Sequence, residues 1–198
     1  MRRIIVFDRV SADGYFSASD GNLDWTVHED ELDKEATSNP GIQGTLLFGR
    51  KTYQMFESFW PKALEAPGGP ENPHRPGQRS PEMRAMAEFI NNAIKIVFSR
   101  TLKDVKWKNS RLFKKFLPYE VEALKRENGA DMMIFGSGSI VSQLAEHDLI
   151  DEYQFIVGPV ILGNGHPLIS GVSKKTPLKL AEAKTYKSGN IKLRYTRQ

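Results

Sequence analysis

Three segments of this chain place glycine, hydroxyl and cationic residues where an apolar run gives way to a helical pattern. The first is Met132-Met-Ile-Phe-Gly-Ser-Gly-Ser-Ile-Val-Ser-Gln-Leu. Glycines let a backbone come close to a ligand, and the free amides at a helix start attract anions. Gly136, Ser137, Gly138 and Ser139 are therefore candidates to hold a diphosphate. Val141 stands where the third glycine of the dinucleotide fingerprint would be. A tight strand-to-helix turn capped by Ser139 is the competing reading. The second segment is Leu46-Leu-Phe-Gly-Arg-Lys-Thr-Tyr-Gln-Met-Phe, with Gly49, Arg50, Lys51 and Thr52 at a helix start. Cations there oppose the helix dipole at about 0.3–1 kcal/mol each, a cost that a docked anion offsets. A solvated basic pair is the alternative. The third is Ile96-Val-Phe-Ser-Arg-Thr-Leu, where Ser99 and Arg100 suit a phosphate monoester because a guanidinium can bind two oxygens. Taken singly it reads as a surface turn; with the other two it points to a phosphorylated cofactor.

Other chemistries are thinly represented. There is no cysteine, which excludes disulfides, thiolate nucleophiles and sulfur-ligated metals. His28, His74, His147 and His166 lack metal-ligand spacing, and no G-x-S-x-G elbow occurs. No metal is expected. Net charge is +4 with a pI near 9.2, but the basic residues are scattered, so nucleic acid is not an expected partner. No apolar stretch approaches a membrane span. The start Met1-Arg-Arg-Ile-Ile-Val-Phe-Asp is too short for a signal-peptide core, which predicts a buried first strand and a cytoplasmic protein.

The elements that must position these residues follow from periodicity. Ile4 to Phe7, Thr45 to Phe48, Lys95 to Phe98 and Met132 to Phe135 are continuous apolar runs, the pattern of strands buried on both faces. Helices are predicted at about 26–37, 51–57, 81–92, 118–127 and 139–146. Pro118 suits a first helical position and Gly129 a stop. Asp151 to Val157 reads as a half-buried strand, and 178–186 with 191–195 as a hairpin around Ser188-Gly189-Asn190. Residues 60 to 80, with five prolines, predict a long structureless loop, either a lid or a surface insertion. Length and pattern predict one domain over 1–198.

Phe48-Gly-Arg-Lys-Thr-Tyr, Phe98-Ser-Arg and Phe135-Gly-Ser-Gly-Ser resemble, in order and context, motifs of dihydrofolate reductase-like proteins. The chain is most similar to the branch related to the reductase domain of bacterial riboflavin biosynthesis deaminase-reductases. That branch carries an early Ser-x-Asp-Gly-Tyr element, here Ser11-Ala-Asp-Gly-Tyr, followed by Asp20-Gly-Asn-Leu-Asp-Trp. Its late signature is here Leu149-Ile-Asp-Glu-Tyr-Gln-Phe-Ile-Val-Gly-Pro-Val-Ile-Leu-Gly-Asn-Gly-His-Pro-Leu. The resemblance spans residues 3 to about 196. It implies a three-layer α/β/α fold with a central mixed, mostly parallel sheet and a C-terminal antiparallel hairpin. It also implies NADPH as hydride donor, a small pterin-like or pyrimidine-like heterocycle as substrate, and a homodimer. Gly49 to Thr52 and Gly136 to Ser139 would meet the cofactor phosphates, and Ser99 and Arg100 the adenosine 2′-phosphate. Asp13 and Gly14 would belong to a loop that closes on nicotinamide and substrate, with Trp25 and Tyr153 lining the substrate side. Asp13 is the first candidate proton donor, or else an Asx turn feeding Gly14, and Asp24 is the second. The helical carboxylate of true dihydrofolate reductases is not matched by Asp24, Asp30 or Asp33, which leaves the substrate open. A non-catalytic binder and a flavin-binding variant are the alternatives to a reductase.

Overall fold

Along the first strand, β1 (Ile4–Ser11), alternate residues serve two different cores. Ile4, Val6 and Val10 enter one apolar cluster and Ile5 enters the other. The same division runs through β3 (Thr45–Gly49), where Leu47 faces one side and Leu46 and Phe48 the other. In β6 (Ile94–Phe98) Ile96 and Phe98 oppose Val97, and in β8 (Met132–Ile134) Met132 and Ile134 oppose Met133. A strand apolar on both faces needs cover on both, which is why these runs lack polar alternation.

Helices supply that cover. On one face lie α1 (Arg50–Ala63) and α2 (Pro81–Asn92), through Tyr53, Trp60, Ala63, Ala87 and Ile90. On the other lie α3 (Pro118–Arg126) and α4 (Gly138–Glu146), through Val121, Leu124, Ile140, Val141 and Leu144. The computed structural model, which describes residues 1–27, 31, 32, 35, 44–65, 69–72 and 75–198, is thus a three-layer α/β/α fold. The sheet order is β11 (Leu178–Thr185), β12 (Ile191–Arg197), β9 (Glu152–Gly158), β1, β8, β3, β6 and β7 (Ser110–Phe113). Strand β7 is a parallel edge that periodicity missed, and β9 is parallel to β1. The hairpin of β11 and β12 closes the other edge antiparallel. No helix among the described residues is long and apolar enough to cross a membrane.

Several expectations change. Helix α1 runs on through Pro61, near its C-terminal end, to Ala63. Residues 60 to 80 are therefore not one structureless loop. Beyond the helix, β4 (Glu71–Asn72) pairs antiparallel with β5 (Arg75–Arg79) as a ribbon apart from the main sheet. Glu71 holds it by accepting from the Gly77 amide at 3.0 Å and from the Arg79 guanidinium. Strand β9 is almost wholly buried rather than half-buried. Its polar residues are inside because they bond one another: Gln154 Nε2 donates to Glu152 Oε1 at 2.6 Å, and Arg3 pairs with Glu152 at 3.1 Å. The helix expected at 26–37, with Asp30 and Asp33, falls largely outside the described residues.

Candidate functional site

Strand β8 stops early. It pairs with β1 only from Ile4 to Val6, whereas β9 accompanies β1 to Ser11. Past Val6 one edge of β1 is therefore open, and a crevice begins beyond the carboxyl ends of the strands, where α/β folds bind ligands. Around it lie the ends of β1, β8, β3 and β6, four neighbours in the sheet. At about 4.8 Å per strand they span about 14 Å. All three cofactor segments read from the sequence arrive at this one rim.

The turn after β8 does more structural work than its glycines promised. Gly136 adopts φ 62°, a left-handed conformation that favours glycine. Its amide, expected to face a phosphate, donates instead to Asp8 Oδ1 at 2.6 Å. Ser137, not Ser139, is the N-cap of α4, and its Oγ accepts from the Gly49 amide at 2.9 Å. A Cβ on Gly138 would come within 3.0 Å of Phe16 Cε1 and 3.1 Å of the Pro167 and Leu168 carbonyl oxygens. That glycine is explained by packing: Phe16, from β2 (Tyr15–Ser17), lies over the helix start, and β2 pairs with β10 (His166–Pro167) as a flap. Of the four turn residues only Ser139 is exposed.

The serine bridge joins two helix starts, since Gly49 caps α1 and Ser137 caps α4. Thr52 Oγ1 lies 3.6 Å from the Cβ position of Gly136, so the two first turns are neighbours. Neither helix carries an acidic residue in its first turn. Arg50 and Lys51 are exposed and make no ion pair among the described residues. Two positive helix ends plus two uncommitted cations fit a diphosphate. At the end of β6, Ser99 is nearly buried, and its Oγ accepts from the Thr101 and Leu102 amides at 3.2 and 3.0 Å. The serine builds the turn; Arg100 stands exposed beside it.

On the other side of the crevice the candidate catalytic residues take unexpected roles. Asp13 is exposed, yet its carboxylate accepts from Ser11 Oγ at 2.6 Å, Gly163 N at 2.8 Å and Leu162 N at 3.2 Å. The Ser11 hydroxyl first, then those amides, hold it below the ordinary carboxylate range. An acid held ionised is a poor proton donor, and Asp13 instead ties the 162–163 loop to the β1 turn. Gly14 sits in that turn, its amide bonded to Ser11 O at 2.9 Å. Asp24 is exposed and accepts from Asn22 Nδ2 at 3.1 Å. Trp25 is half-buried against Gly158 at the end of β9, with Nε1 buried and without a partner. Tyr153 does not line the crevice; it is 4% exposed within the α3/α4 core, and burial pushes its hydroxyl up to about 12. Among the described residues no cluster of three or more His, Asp or Glu could hold a metal.

Sequence reasoning missed Asp8. Its carboxyl points from β1 to the same side as Val6 and Val10, and the residue is 7% exposed. Oδ1 takes the Gly136 amide, while Oδ2 is buried with no partner. Burial pushes its carboxyl well above the ordinary range, only partly opposed by the Gly136 hydrogen bond. The available signal was one acidic residue interrupting an apolar run that the sheet buries on both faces.

Comparison with known proteins agrees with this architecture. A family model described as the RibD C-terminal domain matches residues 2–192. The chain is 27% identical over 195 residues to the uncharacterized protein YyaP of Bacillus subtilis strain 168, covering 98% of this chain and 94% of that one. A solved structure from Shewanella sp. PV-4, of a protein assigned to riboflavin biosynthesis, matches with a TM-score of 0.69 at 21% identity over 99% of each chain. Dihydrofolate reductase from Enterococcus faecalis, complexed with NADP(H), matches with a TM-score of 0.63 at 12% identity, over 99% of this chain and 96% of that one. At such identities the two structures speak to the fold.

Proposed function

We propose, for a chain that belongs to the RibD C-terminal domain family, a reductase that uses NADPH to reduce a small pterin-like or pyrimidine-like heterocycle. The observation that carries this reading is the paired helix start: α1 and α4, joined by the Gly49–Ser137 hydrogen bond, with Arg50, Lys51 and Thr52 beside them. A diphosphate is the ligand whose charge and size suit that arrangement. Arg100, which follows β6, one strand further along the sheet, would tell a 2′-phosphate from a hydroxyl. From β3 and β6 the rim continues across β8 to β1, so a dinucleotide anchored by its phosphates would lay its other end against the open edge of β1.

When bound, NADPH supplies a hydride. The protein has to bind, orient and keep water out. Arg50, Lys51, Thr52 and Ser139 bind the phosphates; Gly136 and Gly138 keep the backbone turn tight under the flap. The flap of β2 and β10, tied down through Asp13, excludes water from the end at which reduction takes place. Trp25 packs against Gly158 at the end of β9, and its buried indole N–H, without a partner in the protein, is the donor we assign to the heterocycle. A planar heterocycle with a carbonyl acceptor suits that donor.

Titration with NADPH and with NADH tests the assignment, followed by turnover with a panel of pterins and pyrimidines. Binding of NADPH well ahead of NADH is expected. Equal and very weak binding of the two would sink the cofactor reading.

A further inference from the structure

We infer that Asp8 meets the reacting end of the bound dinucleotide as a neutral carboxylic acid, donating its Oδ2 hydrogen to a carbonyl acceptor there. This rests on the dinucleotide reading above and adds to it a contact and a pH dependence.

Geometry carries the inference. The Gly136 amide fixes Oδ1 at 2.6 Å and so fixes the carboxyl plane. The second oxygen is buried and has no partner. A buried polar group left unpaired costs about 1–3 kcal/mol, and a ligand that pairs it recovers that loss on binding. The position selects the ligand's end. Asp8 lies on β1 just past the last residue that pairs with β8, at the start of the open edge. The phosphate-binding groups belong to β3, β6 and the helices that follow β3 and β8. What reaches Asp8 is then the uncharged ring and its carboxamide, which offers a carbonyl oxygen.

The surroundings favour the protonated form. Val6 and Val10 flank it on its own face of β1. Phe16 of the flap and Thr52 of α1 approach the same Gly136 turn. Arg9 lies on the opposite face of β1, where its guanidinium donates to Val27 O at 3.2 Å. No charged group contributes to the shift of Asp8, which comes from burial and is opposed only by the Gly136 amide. An ionised carboxylate here would repel an anionic dinucleotide, whereas the acid donates to it.

The test is a fluorescence titration with NADPH across the neutral and alkaline range, on wild type and two variants. Wild-type affinity should fall about tenfold for each pH unit above the Asp8 titration, since only the acid binds. Asp8→Asn keeps an acceptor for Gly136 and a donor for the ligand but cannot ionise, so its profile should be flat. Asp8→Leu should lose about tenfold in affinity at neutral pH. A flat wild-type profile, or the same fall in Asp8→Asn, overturns the inference. Should the variants fail to fold, wild type labelled with carboxyl-¹³C aspartate decides the matter by infrared difference spectroscopy. A neutral-acid carbonyl band that moves on adding NADPH is expected, and a band that is missing or unmoved overturns the inference. Wild type that binds no NADPH at any pH overturns the dinucleotide reading as well; binding indifferent to Asp8 overturns this inference alone.

Discussion

At the amino ends of the parallel strands, charges are locked to one another; at the carboxyl ends they are left open. Arg3 pairs with Asp131 at 2.7 Å and with Glu152 at 3.1 Å, and the buried Lys125 pairs with Asp151 at 2.6 Å. Asp151 also accepts the Ile4 amide at 2.8 Å, pinning the start of β1. Arg50, Lys51 and Arg100, at the other rim, make no ion pair among the described residues. Among the described residues the two buried polar side-chain atoms without partners, Asp8 Oδ2 and Trp25 Nε1, lie on that side too. One rim commits its polar groups to the fold, and the other leaves free those that the proposed function assigns to the dinucleotide. The lesson is that unmet hydrogen-bonding capacity, more than charge itself, is what separates the two rims.

The contrast can be broken at either rim. The largest effect is expected from Asp151→Ala, which strands the Lys125 ammonium in the core and should cost about 4 kcal/mol in urea unfolding. NADPH binding per folded molecule should survive it; a parallel loss would mean that the rims are not separable. At the open rim, Arg100→Ala should weaken NADPH about tenfold to a hundredfold and leave NADH nearly unchanged, as read by paired titrations. Unchanged selectivity would remove Arg100 from the site.

Lys95 sharpens the comparison, because it lies at the locked rim without a carboxylate. It is fully buried, bonded to Asn91 O at 2.7 Å and Lys108 O at 3.3 Å, with Nζ 4.2 Å from the Trp107 ring centroid. Burial first, and Lys108 second, push it down to about 8. Between that value and the ordinary 10.5, the unfolded chain holds the proton and the folded chain does not. Stability should therefore rise with pH across that window, by about 1–2 kcal/mol once solvent screening is allowed for. Lys95→Met should lose the rise in denaturation curves taken at each pH. The smallest effect is expected from Ser137→Ala, which leaves the Gly49 amide without its acceptor and should cost about 1 kcal/mol in the same assay.

What the sequence disclosed and what it hid divide along contact range. The parallel core was legible because double burial writes itself as unbroken apolar runs, and α3 because Pro118 and Gly129 mark its bounds. That three strand ends share a chemistry was also legible, since each is a local motif. The roles within them were not. Ser137 spends its hydroxyl on Gly49, 88 residues away, and Gly138 is small for the sake of Phe16. Asp13 is claimed by amides about 150 positions on, which no spacing rule connects to it. Tyr153 was placed by motif on the substrate side, but strand alternation turns it into the α3/α4 core. Asp8 needed the register of β1 against β8 before its partner could be known.

The early end of β8 has a wider consequence. The open edge is made by a difference in strand length, so it belongs to the backbone and not to any one side chain. Loop residues around it that enter neither apolar cluster can therefore change without unsettling the sheet. A scaffold of this kind can keep one anchoring half for a shared cofactor while the other half drifts from one ring system to another. Lengthening β8 along β1, in contrast, would narrow the opening and crowd the proposed ligand whatever side chains surround it.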